Sequence, residues 1–117
     1  MTAGWLTEAV GLMGTAKLET ARAALDEWGH AAQLRQVQEE CAELIAAINR
    51  AARGRGNANM IEEAGQVWLM LLQLREIIGH ERFAASVDAA TRKTSERLTA
   101  DDHNADAFAC LPEGREP

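Results

Sequence analysis

The chain has 117 residues, of which 47% are hydrophobic and only 4% aromatic, and its formal net charge is −6. That size and apolar content support one domain with a core of its own. The acidic balance argues against a general nucleic-acid binder, whose affinity rests on cationic contacts to phosphate, but leaves room for a small anionic substrate if metal ions bridge the charges.

Ala, Leu, Glu, Arg and Gln dominate, all good helix formers, and no segment alternates like a strand. The fold expected is therefore all-α, a helical bundle of four to five helices in one domain over residues 1–98. A short helical pattern comes first, with Trp5, Leu6, Ala9, Val10 and Met13, and stops at Gly14. Thr15 or Thr20 is placed to cap the next helix, which carries Leu18, Ala21, Leu25 and Trp28, and Gly29 marks a break. The second major helix is expected from about residue 30 to 53, with an apolar stripe of Leu34, Val37, Cys41, Leu44, Ile45 and Ile48. Gly54-Arg55-Gly56-Asn57 reads as a loop. Asn59 is a candidate N-cap for the following helix, with Glu62 at the third position of a capping box. That helix ends at Ile78, where Gly79 supplies a left-handed stop. Its middle, Val67-Trp68-Leu69-Met70-Leu71-Leu72, is apolar nearly all round and needs cover on more than one side, which points to subunit association. The last helix spans about 81 to 98 with Phe83, Val87, Ala90 and Leu98. Residues 99–117 are polar and acidic and are expected to form a mobile tail.

No apolar run reaches the roughly 18–20 residues of a membrane span, and no cationic start precedes an apolar stretch, so neither a membrane span nor a secretory leader is expected. Cys41 and Cys110 suggest neither a disulfide framework nor a zinc site, and both read as reduced thiols of a cytoplasmic protein.

Two of these helices carry nearly the same acidic word, Glu39-Glu40-Cys41-Ala42-Glu43 and Glu62-Glu63-Ala64-Gly65-Gln66. Residues i and i+3 share a helix face. Glu40 falls about 100° from the centre of its apolar stripe and Glu43 about 60° further, with matching offsets for Glu63 and Gln66. Packed side by side, the two helices bring Glu40, Glu43, Glu63 and Gln66 to one small volume. Three carboxylates and an amide oxygen there repel unless a cation joins them, and a hard divalent ion with oxygen ligands, Mg²⁺ with Mn²⁺ as a substitute, suits that set. A single Glu-x-x-Glu is more often a solvated helix face; two matched pairs joined by a glycine-bearing loop carry more weight.

Over residues 28–74 the chain resembles the MazG-type all-α nucleoside triphosphate pyrophosphohydrolases, whose signature is E-E-x-x-E, a gap, then E-x-x-D. Glu39-Glu40-Cys41-Ala42-Glu43 fits the first half, with Gln33 upstream and Leu44 after it in familiar places. Glu63-Ala64-Gly65-Gln66 fits the second except at Gln66, where the family has Asp. The resemblance implies a helical bundle assembled as a homodimer or homotetramer. It also implies Mg²⁺-dependent cleavage of a nucleoside triphosphate to monophosphate and pyrophosphate. Glu40, Glu43 and Glu63 are then the metal ligands, with Gln66 a weaker fourth. Glu39 is either a catalytic base orienting the attacking water or an exposed partner of Arg35, and Glu62 either such a base or a helix cap. Lys93 matches a phosphate-contacting cation of the family's final helix, and Arg97 shares its face. Trp28 sits where the family often has an aromatic near the nucleotide, whereas Trp68 reads as core. Arg50, Arg53 and Arg55 are further cations beside the loop, with solvated charge as the plainer reading. His30, His80 and His103 show no ligand spacing.

Two rivals stand beside the enzyme. Because Gln66 replaces Asp, the fold can persist as a weakened or inactive nucleotide-binding protein; alternatively the chain is a structural helical dimer with solvated acidic faces.

Overall fold

A computed structural model describes Gly4 and residues 11–100. Among them are four helices and no strand: α1 (Thr15–Trp28), α2 (His30–Ala52), α3 (Ala58–Ile78) and α4 (His80–Ala100). Trp5, Leu6, Ala9 and Val10 of the expected first helix lie outside the described residues, as do His103, Cys110 and nearly all of the expected tail. Thr99 and Ala100, assigned to that tail, instead continue α4.

The glycines at 29 and 79 explain how four helices follow one another so closely. Gly29 has φ 87° and ψ 160°, and Gly79 φ 107° and ψ 139°. A Cβ is strained at such φ, so glycine is required. The Gly29 N–H donates to the Leu25 carbonyl at 2.8 Å and closes α1, while its carbonyl accepts the Gln33 N–H at 3.1 Å and opens α2. Gly79 does the same between Arg75 (2.9 Å) and Phe83 (2.9 Å). Each glycine thus ends one helix and starts the next, with an extended ψ in place of the left-handed cap expected at Gly79.

Two expected side-chain caps do not form. Asn57 is the N-cap of α3 and makes no side-chain capping bond; Asn59 lies inside the helix, so the Asn59–Glu62 box is absent. α1 begins at Thr15 behind Gly14, and Thr20 Oγ1 donates to the Ala16 carbonyl one turn back at 2.9 Å, the usual bond of a hydroxyl inside a helix.

α3 is the central helix. It packs against α1, α2 and α4, whereas among the described helices α4 packs against α3 alone. The apolar run 67–72 is therefore covered within the chain: Met70 and Leu72 are buried and Val67, Trp68, Leu69 and Leu71 half-buried. The Trp68 Nε1–H donates to the Leu12 carbonyl at 2.8 Å, tying the segment before α1 to α3.

α2 departs most from expectation. Its apolar stripe is split: Val37, Cys41 and Leu44 are half-buried, whereas Leu34, Ile45 and Ile48 are exposed, Ile45 to 62%. The residues it buries are Gln33 and Ala47. The face turned inward is therefore mixed, with Val37, Leu44 and Ala47 beside Gln33, Gln36 and Glu40, and the rest of the stripe looks outward. The buried core is correspondingly small, with Ala21, Leu25, Ala47, Met70 and Leu72. No helix among the described residues is long and apolar enough to cross a membrane.

Candidate metal centre and adjoining cavity

The short loop 53–57 folds α3 back along α2, as short helix–helix connections do. Residues then pair across the seam in antiparallel order, Glu43 near Glu63, Glu40 near Gln66, and Gln33 near Gln73, further from the loop. Steps of three or four residues keep each set on one face. The acidic end and the amide end of the seam are therefore one continuous surface.

At the acidic end, one carboxylate oxygen each of Glu40, Glu43 and Glu63 lies within 4.8 Å of the others. Opposite oxygens around an octahedral Mg²⁺ stand about 4.2 Å apart at about 2.1 Å per bond, so the all-oxygen donor set has the chemistry a hard divalent ion takes, at separations bounded only by the wider 4.8 Å. Acidic groups on helices often gather without an ion, but here two oxygens are orphaned. Glu40 Oε1 and Glu63 Oε1 are buried and have no hydrogen-bond partner, a condition that costs free energy until a proton or cation meets them. Glu40 Oε2 accepts a hydrogen bond from Gln36 Nε2 at 2.9 Å, which fixes its carboxylate plane. Burial raises the Glu63 pKa first; the hydrogen bond that a protonated Glu63 alone can give Glu40, and the charges of Glu43, Glu40 and Glu62, raise it further. A proton on Glu63 is the metal-free remedy for the crowding.

Next to this cluster a cavity of about 630 Å³ opens between α1, α2 and α3. Its polar lining is Gln33, Gln36, Glu40, Gln66 and Gln73, and Trp28 closes one side. Such a volume falls in the roughly 300–1,000 Å³ range of small-molecule sites. Glu40 belongs both to the acidic cluster and to the cavity wall, so a ligand there would have one end at the carboxylates.

Of the residues singled out from sequence, Glu40, Glu43 and Glu63 come together, and Gln66 and Trp28 join Glu40 around the cavity. Gln66 is exposed, and Trp28 is 63% exposed at its helix end. Glu39 and Glu62 are exposed beside the cluster. Lys93 and Arg97 are not among the residues lining the cavity; they sit on the part of α4, residues 91–100, that is exposed throughout. Cys41 is half-buried with a free thiol.

Sequence reasoning noted Gln33 only as part of the family pattern and missed the Gln73 amide; the two are 5% and 3% exposed. Gln73 interrupts the apolar run of α3, and that interruption was the available signal. It also missed the cluster at the other end of α3. Glu76 is bonded there by His80 Nε2 at 2.8 Å and by Arg22 Nε at 3.3 Å, with Arg75 Nη1 at 3.4 Å. No family model, curated protein or solved structure matches the chain.

Proposed function

We propose that the protein hydrolyses a nucleoside triphosphate between its α- and β-phosphates, with Glu40, Glu43 and Glu63 holding Mg²⁺ or Mn²⁺. The observation that supports this most is the gathering of three carboxylates from two helices, two of their buried oxygens unpartnered, beside a cavity that Glu40 also lines. The resemblance of the two acidic words to the MazG-type enzymes supplies the reaction. A divalent cation at that cluster supplies charge neutralisation for phosphate oxygens and acidity for water. In the reaction, water oxygen bonds to the α-phosphorus as the bond to the α–β bridging oxygen breaks, and pyrophosphate leaves with that oxygen. Glu39, exposed beside Glu40, takes the water's proton. Trp28 stacks against the base across the cavity mouth.

Association of two or four copies belongs to this reading. The outward stripe of Leu34, Ile45 and Ile48 on α2, and Val87 and Leu98 on α4, leave apolar side chains exposed, which a second copy covers. Among the described helices α4 packs against α3 alone, and in this reading Lys93 and Arg97 serve the phosphates of a partner copy. A cytoplasmic setting suits the free thiol and the nucleotide substrate.

Gln66 favours a second reading, a nucleotide-binding protein without cleavage, because an amide oxygen binds a hard cation more weakly than a carboxylate. The deciding experiment is a pyrophosphate-release screen over the common ribo- and deoxynucleoside triphosphates with Mg²⁺ and then Mn²⁺. Hydrolysis of at least one, lost in Glu43→Gln, is expected. No release from any of them, together with nucleotide-dependent thermal stabilisation, would leave the binding protein.

A further inference from the structure

Two buried amides line the cavity further along the helices than the proposed reaction needs. Gln33 on α2 and Gln73 on α3 line its wall, are 5% and 3% exposed, and each has an Oε1 that is buried with no hydrogen-bond partner. Gln73 Nε2 is turned to Met70 Sδ at 3.8 Å, a weak acceptor, which leaves the oxygen side of that amide unspent. A buried amide with an idle acceptor destabilises the fold by about 1–3 kcal/mol in general. Leucine at either position would remove that cost, so the amides have a use other than folding.

Their place along the seam suggests the use. Gln33 stands seven residues before Glu40 on α2 and Gln73 seven after Gln66 on α3, so both lie about 10 Å along the helix axis from the carboxylate end. A nucleotide whose phosphates meet the carboxylates carries its base, beyond the sugar, in this direction. Trp28 lines the same cavity and offers a face for stacking. Gln36, which also lines it, is committed to Glu40.

We propose that Gln33 and Gln73 form the base-reading end of the nucleotide site and select a base bearing an exocyclic amino group, cytosine, adenine or guanine, over uracil and thymine. The inference rests on the nucleotide reading above. Two idle carbonyl oxygens call for N–H donors. An exocyclic amino group offers two, whereas the uracil and thymine edge offers one imino N–H flanked by carbonyls that face the amide oxygens unfavourably. Both oxygens are closed to solvent in the unliganded chain, so a ligand meets them after a small turn about the last torsion, which is broad; the selectivity requires that this turn bring the oxygen, and not the NH₂ group, to the base. A site that has buried acceptors to satisfy discriminates against a ligand that cannot satisfy them.

The test is binding, so that it does not depend on turnover. Calorimetry with Mn²⁺ present would compare CMP, AMP and GMP with UMP and TMP on the full chain. The comparison is repeated on Gln33→Leu, Gln73→Leu and the more adaptable Gln73→Met. At least one amino-bearing nucleotide is expected to bind tenfold or more tightly than UMP and TMP. Each variant should lose that preference while its Mn²⁺ affinity stays within twofold and its melting temperature is equal or higher. Equal or tighter binding of UMP or TMP overturns the proposal. So does a preference that survives all the substitutions, or the absence of any nucleotide binding. Selective binding without pyrophosphate release would sink the hydrolase reading and leave the base-reading amides standing.

Discussion

The two ends of α3 treat a carboxylate in opposite ways. Near its start, Glu63 faces Glu40 and Glu43, and burial together with those neighbours pushes its pKa up. Thirteen residues on, about 20 Å away along the axis, Glu76 sits among Arg22, Arg75 and His80. Burial pushes its pKa up too, but the hydrogen bonds and charges of His80 and Arg22 outweigh burial and hold it below the ordinary carboxylate range. The Glu76 end is self-sufficient and ties α1, α3 and α4 together across Gly79. The Glu63 end is electrostatically incomplete, and that incompleteness is why function is sought there.

Substitutions at the two ends should therefore separate cleanly, and this is the largest effect expected. Glu63→Gln or Glu43→Gln should weaken Mn²⁺ binding at least tenfold by calorimetry, with the metal-free melting temperature unchanged or raised. Glu76→Gln should leave Mn²⁺ affinity unchanged and lower stability by about 1 kcal/mol, the scale of a lost hydrogen-bonded partner. Equal loss of Mn²⁺ affinity at both ends would mean the acidic cluster holds no cation.

Gln66→Asp takes the contrast further in one step. Asp is shorter and anionic, one turn from Glu63, and a hard cation prefers charged oxygen to amide oxygen. Metal affinity and kcat/KM on the best substrate should both rise, by about tenfold if the new carboxylate ligates. The metal-free protein should melt lower, because a fourth negative charge joins three. If affinity is unchanged, Gln66 does not occupy the fourth ligand position and the second acidic word is misaligned.

The all-α fold and the meeting of Glu40, Glu43 and Glu63 were legible because helical periodicity fixes which residues share a face, and a short loop fixes which helices pair. Periodicity cannot say which face turns inward. The apolar stripe of α2 looked like the buried side, yet only Val37, Cys41 and Leu44 are partly covered, Gln33 and Ala47 are the buried residues, and Leu34, Ile45 and Ile48 look out. Ordinarily the apolar face wins; here a rotation of α2 about its axis divides the apolar residues between the core and the surface. The Glu76 cluster was invisible for a different reason. Arg22 and Glu76 are 54 residues apart, and only the packing of α1 on α3 brings them together. Capping was over-read at Asn59 because its side chain suits the role, while the loop register placed the helix start earlier.

The opposite pKa directions give opposite pH slopes in metal-free protein. For Glu63, raised in the fold, stability is fully present below the unfolded carboxyl pKa and is lost as pH rises through the folded value. For Glu76, depressed in the fold, stability is present above the unfolded value and is lost as pH falls through the folded one. Denaturant melts from acid to neutral pH should show Glu63→Gln removing the loss on the upper side and Glu76→Gln the loss on the lower side. Mn²⁺ should bind more tightly as pH rises and displace a proton from Glu63, detectable as a buffer-dependent binding enthalpy. A binding enthalpy that is the same in buffers of different ionisation heat would break this account of Glu63.

The smallest effect expected serves as the control on all the others. Gly65 lies in α3 two residues from Glu63, and a Cβ built there meets nothing within 4 Å. Alanine is the better helix former, so Gly65→Ala should stabilise the chain by roughly 0.5–1 kcal/mol. It changes no charge, so the gain should be the same at every pH and with or without Mn²⁺. A gain of that kind would show that stiffening α3 beside the acidic cluster does not imitate the removal of a carboxylate. If instead the substitution shifts Mn²⁺ affinity severalfold, the backbone near Gly65 must move when the cation binds, and the differences between the two ends of α3 would be mechanical as well as electrostatic.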